Sequence, residues 1–337
     1  MFKLFSLWIV LWFYAQPWCN AQTRTGLQAD SLISSGNQIK ATKFLESVLS
    51  ETETRLFETS KALANLYRDH KQWEKCMDLW EWGHERGFFY LLHEGLPIFQ
   101  PFRSFDRFDS LVQKDQSLRR QALESATCKM EWILPDSFDA ATEYPVVLIL
   151  HGGGSTMDRV KGEWQGVLET QELIALFIRS YRHYDWGTFG WRGSDSLAEH
   201  QIGRLYDDFC TKVPHRSDQL IVAGISAGGH VALDLILHNV IPATKAWLIC
   251  PTLKPKDYTE AELEWARSMN IRIYVTLGES DSRLTNQQQM IRQLESTGLS
   301  IFKEIQNMGH AYPTDMTGSY SRAIDWLLKK SEDRDER

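Results

Sequence analysis

The chain has 337 residues, a formal net charge of −7, 43% hydrophobic residues and five cysteines. The acidic balance supplies no basic footprint for a phosphate backbone, so nucleic acid is not an expected partner. The length accommodates one α/β domain of roughly 200 to 250 residues together with a smaller unit.

Lys3, the largely apolar stretch Leu4 to Ala15, Pro17 and the small residues Cys19 and Ala21 predict a secretory signal over residues 1–21, cleaved after Ala21. About a dozen apolar residues fall short of the ~20 a spanning helix needs. The bulky Trp18 ahead of Cys19 does not suit a lipid-attachment signal. No stable membrane anchor is therefore expected, and the mature chain is expected to be secreted or periplasmic. Of its remaining cysteines, Cys76, Cys128 and Cys210 are scattered and Cys250 closes the apolar run Ala246-Trp247-Leu248-Ile249. None has metal-ligand spacing, disulfides are permitted but not required, and Cys250 reads as a small buried hydrophobe.

Residues 22–98 predict a helical unit, with apolar positions at helical spacing in Ile39, Phe44, Leu45, Val48 and Leu49 and again in Leu63, Leu66 and Tyr67. Ala41 and Cys76 occupy matching places in two similar segments, 35 residues apart. Ala64 to Tyr67 followed by Trp73 to Cys76 resembles a tetratricopeptide-like helix pair, although an ordinary helical hairpin fits as well. Fewer than three repeats rarely bury a core alone, which implies packing on the larger domain or on a protein partner. Residues 99–125, with Phe102, Phe105, Phe108 and Leu111 at threefold spacing, read as a connecting segment whose aromatics serve packing.

From residue 126 to 330 short apolar runs alternate with helical patterns, which predicts an α/β class, a doubly wound and mostly parallel sheet. Strands are expected near 127–134, 145–151, 173–179, 219–224, 245–250, 271–277 and 299–306. Helices are expected over 197–212, 229–238, 259–269, 284–296 and 320–330. The charged tail, 331–337, is expected to fray.

Two motifs carry chemistry. Gly224-Ile225-Ser226-Ala227-Gly228 follows the strand Leu220 to Ala223 and opens an apolar helix, the placement that displays a nucleophilic serine on a sharp turn. The strand Tyr144 to Leu150 empties into His151-Gly152-Gly153-Gly154, where glycine backbone can aim N–H groups at a developing oxyanion. Neither a Gly-Lys-Ser/Thr phosphate loop nor a dinucleotide fingerprint is present, so no cofactor is expected.

A serine needs a base and an acid to orient it. Asp281, after the strand Ile271 to Leu277, is the preferred acid, with Glu279 as competitor and helix capping as the plainer role for Asp281. His310, at the end of the last strand, is the expected general base. The oxyanion amides are assigned to Gly152 or Gly153 with Ala227. Tyr184 and Trp186, in the aromatic segment after the 173–179 strand, are candidates to line a substrate pocket or simply to pack. Arg182 and Asp185 are candidates to bind polar substituents or to pair with each other. His183, His200 and His215 lack His-Glu-x-x-His spacing, so no metal site is expected, and His230 is read as structural.

Residues 126 to 330, through Gly224 to His230 and Leu150 to Gly154, resemble an α/β-hydrolase of the secreted esterase type, similar to carboxylesterases, feruloyl esterases and polyhydroxybutyrate depolymerases. The resemblance implies a serine hydrolase acting on a small or polymer-attached ester through an acyl-enzyme. A prolyl-oligopeptidase-like peptidase shares the triad but has a propeller, for which this chain lacks the length. A non-catalytic helical-repeat binding protein with a decayed hydrolase domain is the remaining alternative.

Overall fold

The computed structural model describes residues 40–42, 56–93, 95–193, 195–254 and 258–328. The expected signal segment, most of the first repeat-like segment and the charged tail lie outside them. The chain divides into two compact units: one runs to Ala126 and includes His183–Thr188, the other comprises Thr127–Arg182 and the chain from Phe189.

The first unit contains α1 (Leu56–Asp69), α2 (Trp73–Glu85), a 3-10 helix (Pro97–Ser104) and α3 (Asp106–Glu124). The stretch read as a connector contributes directly to its core. Phe99, Phe102 and Phe108 cluster around Trp80, with the Trp80 and Phe102 rings 4.8 Å apart. Ala41 and Cys76 are both fully buried in this core. A fully buried carboxylate organises the chain between the helices: Asp115 accepts from the Tyr90 N–H at 2.6 Å, the Leu92 N–H at 3.0 Å and lies 3.1 Å from His84 Nε2. Without such donors a buried carboxylate would be too costly to retain.

In the second unit one seven-stranded sheet has the order β1-β3-β2-β4-β5-β6-β7. Its strands are β1 (Lys129–Ile133), β2 (Tyr144–Leu150), β3 (Ile174–Arg179), β4 (His215–Ile225), β5 (Lys245–Ile249), β6 (Arg272–Gly278) and β7 (Ser300–Gln306). β1 runs antiparallel to β3 and every other pairing is parallel. The central strands are continuously apolar because both faces are covered, the pattern parallel sheets require. Helices α4 (Met157–Thr170), α5 (Ser196–Cys210), α6 (Ala227–Leu237), α7 (Glu260–Ser268), α8 (Leu284–Glu295) and α9 (Met316–Leu328) alternate with the strands. On one face Trp164 of α4, Trp247 of β5 and Tyr320 of α9 form the centre of the core, the two indoles 5.5 Å apart. α6 is apolar nearly all round and all of its residues from Gly228 to Leu237 are buried. Among the described residues no helix is long and apolar enough to cross a membrane, and the cysteines are free thiols.

The parallel register brings the C-terminal ends of β4, β5, β6 and β7 to one edge of the sheet, with Ile225 beside Ile249, Ile249 beside Thr276 and Gly278 beside Gln306. Ligand and catalytic groups of open α/β sheets gather at this edge.

Candidate active site

Ser226 stands between β4 and α6 with φ 55° and ψ −118°, a left-handed backbone that a non-glycine residue adopts only under constraint. The constraint is visible. Its N–H donates to the Ile249 carbonyl at 2.9 Å, and its own carbonyl accepts from Thr252 at 3.0 Å and Gly229 at 3.1 Å. The flanking glycines are steric necessities: a Cβ at Gly224 would lie 2.3 Å from the Gly228 carbonyl oxygen, and one at Gly228 would lie 2.3 Å from that of His151. Ala227 begins α6, where first-turn amides have no intrahelical partner and point toward negative charge.

The ends of β6 and β7 bring Asp281 and His310 together, with Nδ1 of the imidazole 2.7 Å from Oδ2 of the carboxylate. Asp281 also accepts from the Arg283 N–H at 2.9 Å and Gln287 Nε2 at 3.1 Å. Burial works against its ionised form. The hydrogen bond and charge of His310, then the Arg283 and Gln287 donors, outweigh that, so its carboxyl lies below the usual aspartate value. Asp281 does not cap α8, whose N-cap position is Arg283. Glu279, the competing acid, is exposed. Gly278 makes the approach possible, because a Cβ there would fall 2.2 Å from the Gly309 carbonyl oxygen.

Arg283 Nη1 lies 3.3 Å from His310 Nε2. A guanidinium only donates, so Nε2 is the acceptor and Nδ1 carries the proton toward Asp281. This is the tautomer a general base requires.

The glycine loop abuts the serine: a Cβ at Gly152 would lie 3.8 Å from Ser226 Cβ and 3.5 Å from Ile225 Cγ2. His151 fixes the loop from behind. It is fully buried, its Nε2 accepts from the Ser180 N–H at 3.1 Å, and its Nδ1 therefore donates to the Gly152 carbonyl at 2.6 Å. Burial lowers its pKa to about 4 and keeps the ring neutral. Trp191 Nε1 donates to the His151 carbonyl at 2.7 Å, and the Gly154 N–H donates to the Phe189 carbonyl at 2.8 Å.

Residues 146–320, more than half of the chain, match the profile described as the alpha/beta hydrolase family. The chain belongs to the α/β-hydrolase family. Among solved structures the hydrolase is similar to an uncharacterized protein from Bacillus cereus, at 21% identity over 90% of this chain and 98% of that one, with a TM-score of 0.51. It is also similar to a Bacillus cereus carboxylesterase, at 16% identity over 62% and 97% with a TM-score of 0.45, and to a fluorophosphonate-binding serine hydrolase of Staphylococcus aureus, at 15% over 60% and 92% with a TM-score of 0.46. At these identities the likeness concerns the fold. No curated protein matches the chain.

Two groups in the hydrolase's site escape sequence reading. Arg283 is one. The other is Cys250, which leaves β5 with φ 41° as Ser226 leaves β4 with φ 55°. It is fully buried, as a small hydrophobe would be. Its surroundings are polar, however: Sγ lies 3.8 Å from the Gly309 carbonyl oxygen and 3.9 Å from that of Ala311. One donor atom each from Cys250, Asp281 and His310 falls within 4.8 Å of the others. Burial and then the neighbouring Asp281 charge push the thiol up to about 12. The available signal was positional, since Cys250 closes the apolar run next in sequence after the serine strand.

Tyr184 and Trp186 fall in the segment grouped with the helical unit. There the Trp186 ring lies 4.7 Å from Phe88 and 5.4 Å from Phe57, and its N–H donates to the Phe89 carbonyl. Asp185 pairs with Lys61 rather than with Arg182, and caps its own turn through Gly187 and Thr188. His230 is buried with Nε2 3.5 Å from Asp234, which also accepts from the Tyr258 hydroxyl at 2.7 Å.

Proposed function

We propose that this hydrolase cleaves carboxylic esters through an acyl-enzyme, with Ser226 as nucleophile, His310 as general base, Asp281 orienting the base, and the Ala227 amide with that of Gly152 or Gly153 as oxyanion donors. The Asp281–His310 hydrogen bond, at the same edge of the sheet as the strained Ser226 turn, supports the reading. Ser226 Oγ attacks the ester carbonyl while Nε2 of His310 takes its proton. Asp281 stabilises the imidazolium through Nδ1, and the amides receive the charge on the carbonyl oxygen. Collapse expels the alcohol, which leaves with the proton from Nε2, and water repeats the sequence on the acyl-enzyme. Arg283 must release Nε2 before that nitrogen can accept the serine proton.

Labelling by a fluorophosphonate probe tests the nucleophile. The wild-type chain is expected to label and Ser226→Ala is not; equal labelling of both sinks the assignment. Asp281→Asn is expected to lower kcat by up to ~10⁴ with little change in KM, because an amide presents the wrong partner to Nδ1. Faster turnover of short-chain nitrophenyl esters than of aminoacyl-proline amides supports an esterase over a peptidase. Export rests on the charged and apolar N-terminal pattern, and a mature N-terminus at Gln22 is its expected signature.

A further inference from the structure

We propose that Cys250, Asp281 and His310 form a binding site for a thiophilic divalent cation of the zinc class, and that occupancy shuts the hydrolase down by engaging its base. The donors come from the ends of three neighbouring strands, β5, β6 and β7, so the sequence gives no spacing motif for them. Their candidate ligand atoms lie within 4.8 Å of one another. In a tetrahedral zinc site, bonds of about 2.0 to 2.3 Å place donors roughly 3.3 to 3.8 Å apart, so the widest separations contract by about an ångström, while Nδ1 of His310 and Oδ2 of Asp281, 2.7 Å apart, move aside for the cation.

The chemistry of the donors selects the cation. Thiolate, imidazole and carboxylate are the groups zinc takes, and three protein ligands leave a fourth position for water. Magnesium and calcium, which prefer oxygen, are disfavoured by the sulfur. The thiol contacts with the Gly309 and Ala311 carbonyls are long, at 3.8 and 3.9 Å, and give way to a stronger ligand. Meanwhile the Cys250 backbone is fixed by its N–H bond of 2.8 Å to the Thr276 carbonyl. Binding displaces the thiol proton to solvent, and the Nδ1 proton as well where the ring binds through that atom. Without a cation the neutral thiol leaves the Asp281–His310 bond intact.

Cation binding stands independently of the esterase reading; only the inhibition rests on it. The experiment therefore has two readouts on the full-length mature protein. Calorimetric titration with zinc chloride is expected to show a site weakened at least about tenfold in Cys250→Ala and in Cys250→Ser, each variant's fold being checked by circular dichroism. Zinc inhibition of nitrophenyl acetate hydrolysis, expressed as the fraction of each variant's own uninhibited rate, is expected to shift by the same factor, to reverse with EDTA and to be absent with magnesium. Cys210→Ala serves as the control, because exposed Cys210 lies 3.6 Å from His215 Nε2 and is a competing zinc binder. The proposal is overturned if wild type binds no zinc, or if both Cys250 variants bind it as wild type does, whether or not Cys210→Ala removes the binding. Cys250-dependent binding in a protein that hydrolyses no ester would uphold the site and remove the esterase reading instead.

Discussion

At the residue scale His151 shows how one buried side chain links site geometry to stability. Its two ring nitrogens are committed, one accepting from Ser180 and the other donating to Gly152, and the first of these bonds needs the neutral ring. Its folded pKa, about 4, lies below the ordinary value of 6.5, so the unfolded chain binds the proton first as pH falls. Stability from this group is complete above about 6.5 and drains away between there and about 4. Moving from pH 7.5 to pH 5 should cost about 2 kcal/mol from His151 alone. Urea unfolding at both pH values checks this: His151→Asn should shrink the difference by that amount, and an unchanged difference would refute it. Asp281 has linkage of the same sign in a more acidic window, since its lowered pKa gives stability above about 3.9 that is lost only in stronger acid.

Elements, by contrast, were read from patterns, and the success of that reading tracks how local the pattern is. The inner strands were legible because sheets covered on both faces demand apolar runs, and β2 and β3 are apolar runs with almost nothing exposed, whereas the edge strands β1 and β7 are partly exposed and mix polar with apolar residues. The placement of Ser226, Asp281 and His310 just past strand ends was legible because each follows a run read as a strand. α4 went unassigned although Val160, Trp164 and Val167 recur at helical spacing behind a Thr156 cap, because Gly162 and Gly166 interrupt the signal. α9 starts at Met316 rather than near Tyr320, and the connector at 99–125 is helical core, outcomes set by tertiary packing. The meeting of Cys250 and Arg283 with His310 escaped the sequence for the same reason: position marks Cys250 as a strand end, but nothing along the chain states which strand ends are neighbours. That adjacency depends on Gly278, where the backbone of the β7 loop passes too close for a side chain. Gly278→Ala should push Gly309 and hence His310 off Asp281. A loss of at least about 10² in kcat with a smaller change in KM is expected from steady-state kinetics, and wild-type kcat would disprove the coupling.

On the scale of the whole molecule, the groups assigned to catalysis all belong to the second unit, while His183–Thr188 is grouped with the first. Trp186 is 45% exposed yet rests on two phenylalanine rings, so its contacts are those of a packing residue. The two roles considered for it separate cleanly in one variant. If Trp186 packs, Trp186→Ala removes partly buried apolar area and lowers stability by about 1 to 2 kcal/mol, while kcat/KM for aromatic and aliphatic esters stays within about twofold of wild type. If it lines a pocket, KM for aromatic esters rises selectively and the melting temperature hardly moves. Thermal melts alongside kinetics on acetyl and feruloyl esters distinguish them, and the ring contacts favour the first outcome.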